Sequence, residues 1–263
     1  MKEQRINVLF IADIVGKPGM EALKAHIENV KEKHHVDFCI ANGENGAGGK
    51  GLTEEIAHEY YSLGIDVITG GNHIFDKHKI FKFLDQNPRV LRPLNYPPSN
   101  HGKGSLIATL HSGTKIGVIN AQGRTFMYPI DCPFRTVAEE VQRIKLVTPV
   151  ILLDFHAEAT AEKIAIGHYL NGRVSAVIGT HTHVQTADEK ILDGGTAYIT
   201  DVGMTGAIDS VIGLDKDVAI KRFIKQTPMR YQTGGSDTRF SAVVVSIDTI
   251  TGKADSIERI YIK

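Results

Sequence analysis

Five short apolar runs, each closed within a few residues by Asp, Asn, Glu or His, constrain this chain more than any other feature. Residues 6–12 end in Asp13, and residues 36–41 lead into Asn42-Gly43-Glu44-Asn45. Val67-Ile68-Thr69 precedes Gly70-Gly71-Asn72-His73, and residues 150–153 precede Asp154-Phe155-His156. Ala176-Val177-Ile178 opens into Gly179-Thr180-His181-Thr182-His183. A continuous hydrophobic stretch of this length is the pattern of a strand buried on both faces. Open α/β sheets bind ligands beyond the carboxyl ends of such strands. Five strand ends carrying oxygen or imidazole groups therefore predict one composite site.

The intervening segments supply the helices. Lys17-Pro18 opens one, with Met20, Leu23, Ile27 and Val30 as its apolar stripe. Thr53 followed by Glu54 and Glu55 reads as a capped start, and Ile80, Phe81 and Leu84 mark a short helix. Further helices are expected over 135–147, 158–168 and 215–225, with irregular chain over 85–104 and a long loop over 122–135. Strands are expected over 105–110 and 115–121, then over 196–200, 240–247 and 256–262. A parallel first half and a more antiparallel second half point to two sheets in one domain over residues 1–263, with helices outside.

Composition narrows the function. Lys+Arg and Asp+Glu are both 30, so no global field attracts a long nucleic acid or an anionic membrane. Two cysteines, Cys39 in a strand and Cys132 beside Pro133, make neither a disulfide framework nor a Cys-rich zinc site. No apolar run reaches transmembrane length and the first residues lack a signal-peptide core, which points to a cytoplasmic protein.

His181 and His183, one residue apart on a loop, can bind one metal or two adjacent metals, although a polar loop can also simply contain two histidines. Asp13 and Glu44 are the anionic candidates, against capping or loop solvation as the ordinary reading. Glycines around Glu44 permit close approach, and it is assigned as a carboxylate bridging two cations. Asn45 and Asn72 offer neutral oxygens, His156 a third imidazole, and His73 is a ligand or a general acid. Seven or eight ligands suit two ions rather than one. Donors without cysteine favour iron or manganese, with zinc as an alternative. Arg124, in the long loop, is a candidate phosphate contact, with surface solvation as its ordinary role.

Two motifs are decoys. Gly46-Ala47-Gly48-Gly49-Lys50-Gly51 matches G-x-G-x-x-G but does not follow the first strand, and no acid closes the next one. A P-loop would need glycine at Glu44 and Ser or Thr at Gly51. No G-x-S-x-G is present.

Asp13, Gly43-Glu44-Asn45, Gly71-Asn72-His73, His156 and Gly179-Thr180-His181-Thr182-His183 resemble, in order, the ligand motifs of calcineurin-like metallophosphoesterases. More narrowly, residues 11–16, 153–159, 179–186 and 200–206 resemble the YmdB-type bacterial branch. The chain departs from the wider superfamily where Val15 holds the usual histidine position and Glu44-Asn45 replaces the usual bridging Asp; both departures fit that branch.

The resemblance implies an α/β fold, a two-sheet β-sandwich flanked by helices. It also implies two divalent or trivalent metal ions. Asp13, Glu44, Asn45 and His183 would hold one, and Glu44, Asn72, His156 and His181 the other, with His73 as general acid. The implied activity is hydrolysis of small phosphodiesters, cyclic nucleotides such as 2′,3′-cAMP among them, by a chain that a homo-oligomer would accommodate. Two other classes stay open: a metal-dependent amidohydrolase, whose His-x-His leaves the first barrel strand, and a non-catalytic metal-binding regulatory protein.

Overall fold

Alternation within the apolar runs sorts the chain into three cores. In the first strand, Val8 and Phe10 face one buried layer while Leu9 and Ile11 face another. The computed structural model describes residues 5–235 and 237–263. Its first half contains β1 (Arg5–Ile11), β2 (Asp13–Ile14), α1 (Gly16–Lys33), β3 (Phe38–Asn42), α2 (Glu54–Ser62), β4 (Val67–Thr69) and α3 (Ile80–Gln86). Then come β5 (Val90–Leu91), β6 (Ser105–Thr109), β7 (Lys115–Gln122), α4 (Pro133–Lys145), β8 (Ile151–His156), α5 (Thr160–Leu170) and β9 (Ala176–Thr180). The chain closes with β10 (Lys190–Ile191), β11 (Ala197–Ile199), β12 (Met204–Ala207), α6 (Lys216–Lys225), β13 (Thr238–Asp248) and β14 (Ala254–Ile262).

Among the described residues, one sheet has the order β2-β12-β13-β1-β3-β4-β5, with β14 on β13. The other has the order β10-β11-β9-β8-β7-β6. The sheets pack through Phe10, Ile40, Val118, Leu152 and Ile178. Leu23, Ile27, Tyr60 and Phe83 cover the outer face of the first sheet, and Val137, Val141, Ile166 and Leu170 that of the second. The layers are therefore helix, sheet, sheet, helix, as the resemblance implied. Phe240, Phe10 and Phe155 are fully buried, one in each core. Each is worth roughly 1.5–3 kcal/mol relative to exposure.

The expected split into a parallel and an antiparallel half is corrected by the topology. Both sheets have a parallel centre, β1-β3-β4-β5 in one and β7-β8-β9-β11 in the other. Antiparallel strands join at the margins: β13 along the whole of β1, β6 on β7 and β10 on β11. Composition says that the C-terminal third is β-rich, but not which sheet each strand enters. Chain expected to be irregular over 85–104 holds the end of α3 and the two-residue β5. Thr53 caps α2 as anticipated, its hydroxyl accepting from the Ile56 amide at 3.4 Å. Among the described residues no helix is long and apolar enough to cross a membrane.

Candidate metal centre

Parallel centres put the carboxyl ends of β1, β3, β4, β8 and β9 along one rim. Asp13, Glu44, Asn45, Asn72 and His73 arrive there from the first sheet; His156, His181 and His183 arrive from the second. Asp13, Glu44 and His156 are fully buried, and each offers a ligand atom within 4.8 Å of the others. Buried carboxylates are costly unless a positive charge compensates them.

Around His156 Nε2 lie Glu44 Oε1 at 2.9 Å, Asn72 Oδ1 at 3.0 Å and His181 Nδ1 at 3.0 Å. Ligands at right angles around a cation, with bonds of about 2.1 Å, lie about 3.0 Å apart. The separation of Glu44 Oε1 from His156 is that of an ion pair, yet this oxygen has no hydrogen-bond partner. Buried oxygens are seldom left so, and a cation shared with His156 would account for it. Gly71 makes the room: a Cβ there would lie 2.2 Å from His156 Cδ2.

A second cluster adjoins the first. His183 Nε2 lies 3.5 Å from Asp13 Oδ1, and Asn45 Nδ2 lies 3.4 Å from both atoms. Asn45 thus presents its amide nitrogen; as an oxygen ligand it would take the flipped orientation, which exchanges two near-isosteric atoms.

Electrostatics agrees with a cation site. Burial pulls the His156 imidazole down, but Glu44, with Asp13 and Asp154 behind it, raises it to about 9. A proton on His156 thus sits where a cation would relieve the same negative charge. Burial and the charge of His156 pull His181 down to about 2, so it is a neutral imidazole, the form that ligates. Burial raises Asp13, but the His183 hydrogen bond and the charges of His183 and His156 outweigh it and hold the carboxylate well below its ordinary range.

The ligands are held by residues to which the sequence reading gave no role. Asp154 shares a face of β8 with His156, two residues away, and takes hydrogen bonds from Thr180 (2.7 Å), Thr69 (2.5 Å) and Asn42 (3.2 Å). Burial pushes Asp154 up to about 7 against the lowering by His156 and the two hydroxyls. Because Thr180 Oγ1 donates to Asp154, it accepts from His156 Nδ1 at 3.0 Å, which leaves Nε2 as the ring atom where a cation would replace the proton. Replacing Thr180 by valine should weaken metal affinity about 10–100-fold with little change in fold, checked by competition with a fluorescent chelator. Unchanged affinity would remove Thr180 from the site.

Glu158 holds His181 Nε2 at 3.0 Å, and the Ile212 carbonyl accepts from His183 Nδ1 at 2.8 Å. Both histidines have positive φ, 100° for His181 and 65° for His183, which is strained for a residue with a side chain. A fully buried ion pair lies under this turn. Lys163 Nζ is 2.6 Å from Asp201 Oδ2, which also accepts from the Thr182 amide at 3.0 Å. Lys163→Met should destabilise the fold by about 3–5 kcal/mol in urea unfolding, since it leaves a buried carboxylate unpaired.

A cavity of about 310 Å³ opens on the centre, lined in part by Glu44, Asn45, His73, His181 and His183. His73 donates its amide to Glu44 Oε2 at 2.9 Å, and its ring Nδ1 pairs with Asp76 Oδ2 at 2.9 Å. Arg124 is not among the lining residues; its side chain is exposed and its amide donates to Glu162. Among the described residues the strands form two open sheets and no barrel, so the His-x-His pair does not occupy the amidohydrolase position.

Buried carboxylate, amide and imidazole groups meeting between two sheets make this an α/β sandwich with a candidate metal site. The chain belongs to the family described as YmdB-like protein, whose model matches residues 9–260. It is 50% identical, over 98% of its length and 97% of the relative's, to a 2′,3′-cyclic-nucleotide 2′-phosphodiesterase of Bacillus subtilis (strain 168). Two crystal structures share the fold. One is a hypothetical protein from Thermus thermophilus (TM-score 0.92, 38% identity, 98% of this chain and 99% of that one). The other is described as a novel phosphatase, from Mycoplasma pneumoniae (TM-score 0.91, 32% identity, 100% of this chain and 94% of that one).

Proposed function

We propose that this protein is a metal-dependent phosphoric-diester hydrolase acting on small phosphodiesters, with 2′,3′-cyclic nucleotides such as 2′,3′-cAMP foremost. The donor atoms gathered about 3 Å from His156 Nε2 carry the reading, and the activity named for the Bacillus subtilis relative supports the substrate class. Asp13, Glu44, Asn45 and His183 would hold one ion; Glu44, Asn72, His156 and His181 would hold a second. Oxygen and nitrogen donors without thiolate suit iron or manganese ahead of zinc. When bound, such ions polarise phosphoryl oxygens and lower the pKa of a water nucleophile.

The chain's own residues supply the rest. His73 faces the cavity with Nδ1 fixed by Asp76, so its Nε2 is the atom that passes a proton to the leaving oxygen. Ile212 and Leu214 form an apolar part of the cavity wall, which limits water around the reacting group.

Chelator-stripped protein should be inactive on a chromogenic phosphodiester and recover activity with Mn²⁺. It should then open 2′,3′-cAMP to 3′-AMP, resolved from 2′-AMP by chromatography. Silence despite confirmed metal uptake would sink the reading.

A further inference from the structure

The glycine-rich stretch rejected above as a dinucleotide motif has a place beside the centre. Gly49 has φ +95°, and a Cβ there would lie 2.0 Å from Tyr231 Cε1, so the bare backbone seats the tyrosine ring. Tyr231 arrives on the chain returning from α6. Asp215 there donates its amide to the Gln232 carbonyl, and Gly234 donates to Gly213, both at 2.9 Å. This paired segment includes Ile212, whose carbonyl holds His183, so Tyr231 is fixed relative to the centre.

Gly49, Lys50, Arg222 and Tyr231 line the same cavity as Glu44, His73 and His181. Lys50 Nζ lies 6.0 Å from the Tyr231 ring centroid. Neither Lys50 nor Arg222 has an ion-pair partner among the described residues, whereas the lining carboxylates Glu44 and Glu158 are engaged by His156 and His181. Half-buried Lys50 and exposed Arg222 thus set two unpaired cations on one wall, where an anion entering the cavity would meet charge-assisted donors.

The reacting phosphate of a cyclic nucleotide is not that anion, because it belongs against the metal ligands. A nucleoside 2′,3′-cyclic phosphate has one other ribose oxygen free to carry phosphate, the 5′ oxygen. Resting on the proposed function, we infer that Lys50 and Arg222, with Tyr231 as an aromatic wall, form a subsite for a 5′-phosphate ester on the nucleotide being opened. That ester is either a terminal 5′-monophosphate or the link to the preceding nucleotide of an RNA end.

The test compares Mn²⁺-loaded protein with its Lys50→Gln/Arg222→Gln variant on 2′,3′-cAMP, its 5′-phosphorylated form and a dinucleotide ending in a 2′,3′-cyclic phosphate. Wild-type protein should prefer a substrate with the second phosphate by about tenfold or more in kcat/KM, chiefly through KM. The variant should bring that ratio close to one. Preference for the monophosphate alone identifies a terminal-phosphate site; preference for the dinucleotide alone identifies an RNA-end site. Product binding to wild-type protein gives the same contrast without turnover: adenosine 3′,5′-bisphosphate should bind about tenfold tighter than 3′-AMP. Equal use of the three substrates overturns the subsite and leaves the phosphodiesterase reading standing, as does an unchanged ratio in the variant. No turnover of any of the three overturns both.

Discussion

Replacing Glu44 by glutamine should reduce phosphodiester hydrolysis about a thousandfold or more, with bound metal falling in parallel, because several kcal/mol of charge stabilisation is lost. The two oxygens of Glu44 have different neighbours. Oε2 accepts from the His73 amide at 2.9 Å, and Oε1 lies 2.9 Å from His156 Nε2 with no hydrogen bond of its own. Glutamine keeps the shape and one acceptor. If its oxygen stays with the His73 amide, its NH₂ points at the ligand cluster, where a donor cannot ligate. Elemental analysis of the dialysed variant beside its kinetics tests this. A fully active Glu44→Gln protein would end the bridging assignment.

His73→Ala should behave differently. Turnover of 2′,3′-cAMP should drop about 10²–10⁴-fold while metal content stays near normal, since alanine removes a proton donor and keeps the amide that supports Glu44. The deficit should shrink on a p-nitrophenyl diester, whose leaving group departs without a proton. An equal deficit on both substrates would argue against acid catalysis, and loss of metal would make His73 a ligand. The pair of variants therefore separates charge stabilisation from proton transfer.

Much of this centre was legible because strand ends leave a local signature. The alternation of Val8, Leu9, Phe10 and Ile11 between two cores is written in four consecutive residues, and Asp13 follows at once. His156, His181 and Asn72 could be read the same way. The supports could not. Thr180 reaches His156 across 24 residues and Lys163 reaches Asp201 across 38, and each would pass for an ordinary surface or helix residue in the sequence. Asp154 had a usable signal, its spacing of two from His156 on a strand, which places both on one face. The two-residue β2 and four-residue β12 are too short for periodicity and exist through pairing, β2 with β12 and β12 also with β13. Arg124 rested on loop length alone, and it is exposed and outside the cavity lining.

The division of ligands between the sheets reaches beyond chemistry. A pair of ions shared between Asp13, Glu44 and Asn72 of one sheet and His156, His181 and His183 of the other would act as a reversible cross-link at the rim of the sandwich. Their binding free energy would add to the free energy that docks the two sheets, by ordinary linkage. The relation runs both ways. Any change that loosens the layer around Phe10, Val118 and Leu152, none of them a candidate ligand, should weaken the grip on metal. Metal uptake would thus report on whether the sandwich has closed.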